Sequence, residues 1–483
     1  MNPYLVLSIV LVYFLVLIGI SWFTSRKADS QAFFTGNHKS PWYLVAFGMV
    51  GATLSGVTFI SVPGEVGNSA FSYLQFIMGN IVGFWIVAAV LLPIYYRLNL
   101  VSIYTFLEQR FGQNSHKTGS FFFLISKLIG AAFRLFLVAG VLQLAFFDAF
   151  NIPFELTVTV TIGLIWVYTF KGGIKTIVWT DTLQTLFLVS AVIFTIVSIS
   201  KSLGWNTGTL INEIAADSNS QIFFWDWRSG NNFFKQFFAG MFITIVIVGM
   251  DQDMMQKNLT CKNIKEAQKN MVVFSFTFLI AVFLFLSLGA LLYIYSKNSG
   301  VAIPESTDDL YPMLALHYFG LPVAIAFLLG IIAAAYSSAD SALTALTTSF
   351  SVDFLKIETF DEQKKQRIKR WSHIMFSVLL ILVILLFKAI NNESIVVAVF
   401  RVAGYTYGPI LGLFVFGMYS KRKVIDKWVP LVAVLSPVIC YFISKYSEII
   451  FNGYQFGFEL LILNGAITMC GLWLISKKQK LVN

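Results

Sequence analysis

Apolar runs of about 20 residues recur along the whole chain and constrain its fold more than any other feature of the sequence. A run of this length crosses the hydrocarbon core of a bilayer as an α-helix. Because backbone polar groups in hydrocarbon have to be satisfied within the segment, such runs predict helices. The 483 residues are 57% hydrophobic and 12% charged, and short alternating segments typical of a β-barrel do not occur. We therefore predict an all-α membrane protein.

The apolar runs predict thirteen membrane spans, which puts the two chain termini on opposite sides of the membrane. The first run has no basic segment before it and no small-residue cleavage site after it, so we expect a retained helix and not a signal peptide. The spans are 4–24, 42–62, 70–97, 119–149, 153–170, 177–200, 233–253, 271–296, 320–354, 372–390, 394–419, 429–446 and 456–476.

Basic residues divide unequally between the two sets of loops. Of the 34 lysines and arginines, twenty-five lie in one set, five in the other and four within spans. Because cytoplasmic loops carry the excess, we predict a cell membrane protein, such as one of a bacterial inner membrane, with its N-terminus outside and its C-terminus inside. Topology and headgroup contact then explain the net charge of +10 without a nucleic-acid partner. The cytoplasmic set includes Arg26, Lys27, Lys171, Lys175, Lys257, Lys478 and Lys480.

Hydroxyl groups and one carboxylate interrupt the ninth predicted span. Ser337, Ser341, Thr344 and Thr348 follow each other at helical spacings of three and four, and Asp340 lies beside this stripe. A charge at this depth costs a few kcal/mol, so Asp340 is expected to face a cavity or a partner. Oxygen ligands of this kind suit a small hard cation such as sodium, by the reasoning that applies to calcium and magnesium sites. Packing of hydroxyls between helices is the alternative, although packing does not require a carboxylate.

The second predicted span contains residues that weaken a helix. Glycines lie along it, and we expect Pro63 and Gly64 to interrupt its far end. An interrupted helix exposes backbone carbonyls to ions and substrate near the middle of the membrane, while packing of small residues is the alternative. The glycines are Gly48, Gly51 and Gly56, and the interleaved hydroxyl residues are Thr53, Ser55, Thr58 and Ser61.

A third polar segment follows the fifth predicted span. Lys171, Gly172, Gly173 and Lys175 predict a short cytoplasmic turn, and Asp181 lies one to two helical turns beyond it. Asp181 is interpreted either as a residue that caps or pairs near the interface or as a second oxygen ligand for a cation. Cys261, Cys440 and Cys470 lack the spacing of a disulfide framework or of a metal site. The sequence shows no pair of a nucleophile and a base, so it does not predict an enzyme.

Together these segments resemble the sodium:solute symporter family, which includes transporters of sugars, proline, pantothenate, iodide and sialic acid. The resemblance covers nearly the whole chain and implies a leucine-transporter-like fold, in which two five-helix repeats have inverted topology. The motifs that carry it are "GATLSGVTF" (51–59), "GGIKTIVWTDTLQ" (172–184), "GMDQDMMQK" (249–257) and "AAAYSSADSALTA" (333–345).

The resemblance implies a secondary active transporter that imports a small organic solute with sodium by alternating access. The solute is expected to be a sugar, a sugar acid such as sialic acid, or an amino or organic acid. A monomeric unit in lipid is expected. A proton-coupled carrier with Asp181 and Asp340 as relay groups is the alternative, and a transporter-like sensor is less favoured. The implied segments are an extra helix and loop (1–41), the first repeat (42–200), an outside loop (201–232), the second repeat (233–419), and two last helices with a short tail (420–483).

The resemblance also implies the ion sites. Carbonyls of Gly51, Leu54 and Ala334 match the main sodium site, together with the hydroxyls of Ser337 and Ser338. An additional sodium site of some members matches Asp181, Ser337, Asp340 and Ser341. Asp340 stands where the sugar and sialic acid transporters usually have a hydroxyl residue, which leaves the sodium count open.

The substrate position resembles the sialic acid branch at Thr53, Ser55 and Thr58, with Gln75 as a weaker candidate. In that branch an arginine holds the substrate carboxylate at a position that matches Gly130, and Arg134 follows one helical turn later. Arg134 is expected either to do the same or to pair with a protein carboxylate. For Lys127, on the same helix face, we favour snorkelling of the side chain to the cytoplasmic edge over a role in the site.

Overall fold

The computed structural model describes residues 3–25, 39–100, 102–145, 147–390 and 395–477. Arg26, Lys27, Lys478 and Lys480 therefore lie outside the described residues. The described fold is helical, with one short antiparallel ladder that pairs β1 (Lys423–Val424) with β2 (Ser476–Lys477). The helices are α1 (Pro3–Ser25), α2 (Trp42–Thr53), α3 (Gly56–Ser69), α4 (Tyr73–Ile86), α5 (Leu92–Leu98), α6 (Thr105–Arg110), α7 (Gln113–Ala145), α8 (Phe154–Ser202), α9 (Thr207–Ala216), α10 (Phe233–Gly249), α11 (Gln252–Leu259), α12 (Ile264–Ser299), α13 (Leu310–His317), α14 (Leu321–Ser349), α15 (Glu362–Ile390), α16 (Ile395–Thr406), α17 (Gly408–Tyr419), α18 (Val429–Lys445), α19 (Ser447–Ile450) and α20 (Leu460–Leu474).

The lengths of the helices agree with a membrane protein. Among the described residues, eight helical segments are long and apolar enough to cross a bilayer, and the bent pair α10 and α11 makes a ninth. The all-α membrane fold is thus confirmed, whereas the count of thirteen spans stays a prediction. Four shorter apolar helices coincide with the predicted spans that remain: Trp42–Thr53, Phe154–Trp166, Gly408–Tyr419 and Leu460–Leu474.

The helical element α8 covers 49 residues, in which the sequence predicts two spans and a turn. Its contacts with α1 show that the chain nevertheless reverses. Tyr4, at one end of α1, contacts Phe150, just before α8 begins. Thr24, at the other end of α1, is hydrogen-bonded to Thr176, and Tyr13 in the middle accepts a hydrogen bond from Gln184 at 3.0 Å. The reversal therefore lies between Trp166 and Thr176, where the sequence predicts a turn.

Contacts between loops separate into the two sides that the sequence predicts. On one side, Arg110 donates to the carbonyl of Gly417, and Asp426 accepts from the backbone of Asn114 and Ser115 at the start of α7. The sheet between β1 and β2 lies on this side too. On the other side, Lys388 pairs with Glu155, Lys235 donates to the carbonyl of Gln455, and Phe71 bonds to Gln221.

The second predicted span is broken in its middle. Helix α2 ends at Thr53, and Leu54 (φ −75°, ψ 66°) and Ser55 (φ −67°, ψ 175°) leave the helical region before α3 begins. The expected interruption at Pro63 and Gly64 is wrong, because α3 continues through both residues to Ser69. Gly64 instead allows a close approach, since a Cβ atom there would collide with the carbonyl of Thr307.

A second break, which the sequence analysis did not predict, lies between α10 and α11. The two helices meet at an angle of 64° after Gly249, and Asp251 caps α11 by accepting from the backbone N–H of Asp253 at 2.9 Å. The breaks at 54–55 and 250–251 fall in the first helix of each repeat that the resemblance implies. Helix α14 contacts α2, α3, α8 and α11, so both breaks lie beside the most buried span of the fold.

Candidate functional site

A cavity of about 1090 Å³, part of it open to solvent, lies beside the break between α2 and α3. Thr53, Ser55 and Thr58, the predicted substrate residues of this segment, all line it. The Thr53 hydroxyl is buried and has no hydrogen-bond partner among the described residues. Aromatic and aliphatic side chains of α4, α10 and α16 also line it. The cavity thus combines apolar walls with a few polar groups, as ligand sites usually do.

Two cationic side chains of α7, Lys127 and Arg134, reach the wall of this cavity. Lys127 does not extend to the cytoplasmic edge, so the favoured snorkelling interpretation is wrong. Its ammonium is buried and lies 2.7 Å from a carboxylate oxygen of Asp253 and 3.3 Å from one of Asp251. The ion pairs with two carboxylates offset the cost of removing the ammonium from water.

Arg134 differs from Lys127, because no carboxylate in the described ranges forms an ion pair with it. Its guanidinium is only partly buried and shares the cavity wall with Gly130, one helical turn earlier. An added Cβ at Gly130 would meet nothing within 4 Å, so space is open in front of this turn. Of the two predicted roles, the geometry leaves Arg134 available to a ligand.

Gln75 does not reach the cavity. It is fully buried, its amide nitrogen donates to the carbonyl of Asn231 at 2.9 Å, and its amide oxygen accepts from the backbone of Phe224 at 3.1 Å. Both ends of this side chain therefore fasten the loop before α10 to α4. Gln75 therefore holds this loop in place, and it does not line the cavity with the other predicted substrate residues.

The predicted main sodium residues lie where α2, α8 and α14 meet. Gly51 packs so closely on α8 that an added Cβ would collide with the Thr185 hydroxyl and lie 3.2 Å from the carbonyl oxygen of Asp181. The N–H of Leu54 bonds to the carbonyl of Val50, and because α2 ends at Thr53, the carbonyl of Gly51 has no helical N–H ahead of it. Leu54, the next predicted carbonyl, lies in the break itself.

Helix α14 supplies the other predicted ligands, and all of them are buried. Ala334 and Ser337 are each 1% exposed, and Ser338 is 5% exposed. The Ser338 hydroxyl has no hydrogen-bond partner among the described residues, and the same holds for Ser341. A buried hydroxyl without a partner costs free energy, and a sodium ion bound by Ser338 at the predicted main site would offset that cost.

The predicted additional site is occupied by protein groups. The Ser337 hydroxyl donates to one carboxylate oxygen of Asp181 at 2.5 Å, and the ammonium of Lys257 lies 2.9 Å from the other oxygen. Asp340 is 0% exposed on α14 and interacts electrostatically with the same lysine. Lys257 was assigned to the cytoplasmic loops, and this assignment is wrong, because its side chain is 1% exposed within α11.

One network of alternating charges connects the cavity with Asp181. The Tyr407 hydroxyl donates to Asp251 at 2.7 Å, and Lys127 joins Asp251 to Asp253. Asp253 in turn lies 3.8 Å from Lys257, which binds Asp181. Each buried charge has an opposite neighbour, which is the condition for keeping several charges in a low-dielectric interior.

Sequence reasoning missed Asp251, Asp253 and Lys257, although "GMDQDMMQK" contains a signal for them. A glycine followed by an aspartate at a helix start indicates an N-cap, and hence a new helix after a break. Asp253 and Lys257 are spaced i and i+4, so they lie on one face of that helix. The long apolar run before the motif concealed this start, because the predicted span extended to residue 253.

Comparisons with known proteins agree with this architecture. Residues 33–425 match the model of the sodium:solute symporter family. The chain is 26% identical over 417 residues to the sodium/sialic acid symporter NanT of Aliivibrio fischeri, covering 83% of this chain and 80% of that protein. It is 24% identical over 466 residues to the sodium/sialic acid symporter SiaT of Proteus mirabilis, covering 94% of this chain and 92% of that protein.

Solved structures show the same fold. A Na⁺-coupled sialic acid symporter in a substrate-bound outward-open state superimposes with a TM-score of 0.82 at 19% identity, over 98% of this chain and 99% of that chain. Mhp1, a nucleobase-cation-symport-1 family transporter, superimposes with a TM-score of 0.54 at 13% identity, over 92% of this chain and 94% of that chain. The leucine-transporter-like fold is thereby confirmed. The protein is a transporter and not an enzyme, and sodium is its co-transported ion. The chain belongs to the sodium:solute symporter family.

Proposed function

We propose that this chain imports a sugar acid, a carboxylate-bearing sugar of the sialic acid class, together with sodium. The observation that carries the proposal is Arg134, a cation on the wall of the cavity with no carboxylate among the described residues at ion-pair distance. The hydroxyls of Thr53, Ser55 and Thr58 line the same cavity and suit the hydroxyl groups of a sugar. NanT and SiaT, the similar proteins described above, are named as sodium/sialic acid symporters, which supports the same solute class.

The charge of the cavity favours an acid over an uncharged sugar. Lys127 is held in ion pairs by Asp251 and Asp253, whereas the guanidinium of Arg134 lies on the wall with no carboxylate of the described ranges within ion-pair distance. A carboxylate forms two parallel hydrogen bonds with a guanidinium, and bonds to charged groups contribute about 1.5–3 kcal/mol. A neutral sugar leaves this group without an anionic partner.

Sodium binds, in this proposal, at the carbonyls of Gly51, Leu54 and Ala334 and the hydroxyls of Ser337 and Ser338. Its binding joins the broken α2–α3 segment to α14 and favours the outward-open state. The ion shifts the equilibrium only as far as its affinities for the two states differ. Inward opening then separates the ligands and releases both cargoes. The membrane potential contributes only where a transport cycle moves net charge, by about 2.3 kcal/mol per net charge per 100 mV.

We further propose a cell membrane location with the N-terminus outside and the C-terminus in the cytoplasm. The bias of basic residues supports it, since most lysines and arginines outside the spans lie in the loops on the proposed inner side. The proposal includes the monomeric functional unit in lipid that the family resemblance implies. The residues of the proposed sodium and substrate sites fall in segments 42–200 and 233–419, the two proposed repeats.

Uptake into proteoliposomes tests the proposal. N-acetylneuraminic acid is expected to accumulate under an inward sodium gradient at fixed pH, but not when potassium replaces sodium. N-acetylmannosamine, which lacks the carboxylate, is expected to be a poor competitor. Equal competition by both compounds, or uptake driven by a proton gradient without sodium, would contradict the proposal.

The variant Arg134→Gln tests the residue that carries the proposal. Loss of the charged hydrogen bonds is expected to raise KM for the acid about 10- to 100-fold, because each decade corresponds to about 1.4 kcal/mol. Arg401→Gln is the matched control, since Arg401 is exposed on α16 and does not line the cavity. An unchanged KM in Arg134→Gln would remove the main support for an acidic substrate.

A further inference from the structure

The ammonium of Lys257 lies at the place where the sequence predicts a second sodium ion. It is 2.9 Å from Asp181, the carboxylate at the centre of the predicted additional site, and is 1% exposed. The Ser337 hydroxyl, another predicted ligand of that site, donates to the same carboxylate. Asp340 is buried and acts electrostatically on the lysine. Two residues that would hold a second sodium ion, Asp181 and Ser337, are therefore already bonded to each other, and Asp181 is paired with a positive charge of the protein.

Contacts on both sides fix this charge in position. Lys257 belongs to α11, where Asp253 lies 3.8 Å from its ammonium, one helical turn earlier. Asp253 is itself held by Lys127 of α7 at 2.7 Å. An ammonium on a short buried helix with partners on two neighbouring helices does not dissociate as an ion does. It remains in the protein through each transport cycle.

A sodium ion next to Asp181 would lie about 4 Å from this ammonium. At the effective dielectric constant of about 20 that applies to such sites, repulsion between two unit charges at this distance weakens binding roughly a thousandfold. The hydroxyls of Ser337 and Ser341 are neutral ligands, and the carboxylates of Asp181 and Asp340, the charged ligands of this site, already attract the Lys257 ammonium. The geometry of Lys257 thus does not fit a second sodium ion in this place.

We propose that the Lys257 ammonium is the resident cation of the additional site, and that each chain binds one sodium ion, at the main site. The inference rests on the proposed main site of Gly51, Leu54, Ala334, Ser337 and Ser338. It also explains why two carboxylates, Asp181 and Asp340, are tolerated so deep in the membrane. Asp181 pairs with a positive charge that α11 supplies, and Asp340 interacts electrostatically with the same charge.

Counting bound sodium ions on the purified full chain tests the inference. Equilibrium binding of ²²Na⁺ is measured by scintillation proximity without solute, so the result does not depend on which sugar acid is carried. The wild type is expected to bind one sodium ion per chain. Lys257→Arg keeps the charge and is expected to bind one, whereas Lys257→Met leaves Asp181 without its cation and is expected to bind two.

Further variants distinguish the two sites and guard against a folding defect. The double variant Lys257→Met/Asp181→Asn lacks both charges of the pair and is expected to bind one ion. Ser338→Ala is expected to weaken the single wild-type ion at least tenfold. In the Lys257→Met background, Ser338→Ala is expected to weaken the ion of the main site, while the ion at Asp181 stays bound with unchanged affinity.

Each result decides between named outcomes. Two sodium ions on the wild type would overturn the inference and leave the proposed function intact. One ion on a folded Lys257→Met protein would also overturn it, because the lysine would then not be what excludes the second ion. No bound sodium on the wild type would contradict the proposed main site and this inference together. If Lys257→Met does not fold, the wild-type count alone decides.

Discussion

Removal of the Ser338 hydroxyl is expected to abolish much of the sodium stabilisation of this protein without harming its fold. The side chain is 5% exposed, and its oxygen has no hydrogen-bond partner among the described residues. A buried hydroxyl in this state costs about 1–3 kcal/mol, so Ser338→Ala breaks no bond and relieves this cost. Without sodium, the free energy of unfolding of Ser338→Ala is expected to equal or exceed that of the wild type.

The expected effect in sodium follows from mass action. A contact to a charged group contributes about 1.5–3 kcal/mol, which corresponds to a 10- to 150-fold weaker dissociation constant. A sodium concentration of 100 times the wild-type Kd stabilises the fold by about 2.7 kcal/mol. If Kd rises about thirtyfold, the same concentration stabilises Ser338→Ala by only about 0.9 kcal/mol.

Thermal unfolding in a NaCl series, with KCl replacing NaCl at constant ionic strength, measures both quantities. Thr348→Val is the matched control, because this hydroxyl is also buried without a partner on α14 but lies ten residues, or about 15 Å, further along the helix. It is expected to leave the sodium midpoint unchanged. If Ser338→Ala had the wild-type midpoint too, the assignment of the main sodium site would be refuted.

Four further outcomes are expected. Gly51→Ala should lower the free energy of unfolding by about 1–3 kcal/mol and weaken sodium binding, because the new methyl group collides with Thr185; thermal unfolding in NaCl and in KCl checks this. Lys127→Met should lower the free energy of unfolding by about 3–5 kcal/mol, since it leaves buried carboxylates unpaired. The double variant Lys127→Met/Asp253→Asn should recover part of that loss in the same thermal unfolding assay. Asp426→Ala should lower the free energy of unfolding by about 0.5–2 kcal/mol, because it removes the cap of α7, and should leave the sodium midpoint unchanged. One sodium ion moving with a monoanionic sugar acid carries no net charge, so potassium-diffusion potentials should leave the initial uptake rate unchanged; stimulation by a negative interior would favour two ions.

The class of the fold could be read from the sequence because the bilayer imposes a length and a composition on every span. Apolar runs of about 20 residues predict helices, and the basic residues predict the two sides on which the loops meet. Contacts such as Lys388 with Glu155 and Arg110 with Gly417 agree with these sides. The reversal between Trp166 and Thr176 also falls where glycines and lysines predict a turn.

The breaks in the helices were predicted less well. Gly51 and Gly56 weaken the helix locally and indicate an interruption of the second predicted span. The expected interruption at Pro63 is wrong, since Pro63 lies inside α3. The second break at 250–251 was missed, because hydropathy averages over a window and a polar helix start does not stand out beside a long apolar run. Which weak point becomes a break depends on the packing of neighbouring helices and not on local preference alone.

The sequence by itself determined the membrane class, the helical fold and the list of polar residues buried in the spans, because the cost of polar groups in lipid acts locally along the chain. Only the tertiary structure decided which of these groups are partners. Lys127 and Lys257 looked like interfacial lysines until α7, α8 and α11 brought three carboxylates within 4 Å of their ammonium groups. Arg134, on the same helix as Lys127, received no such partner among the described residues. Coulomb energy depends on distances between helices that are far apart in the chain, and sequence spacing does not contain those distances.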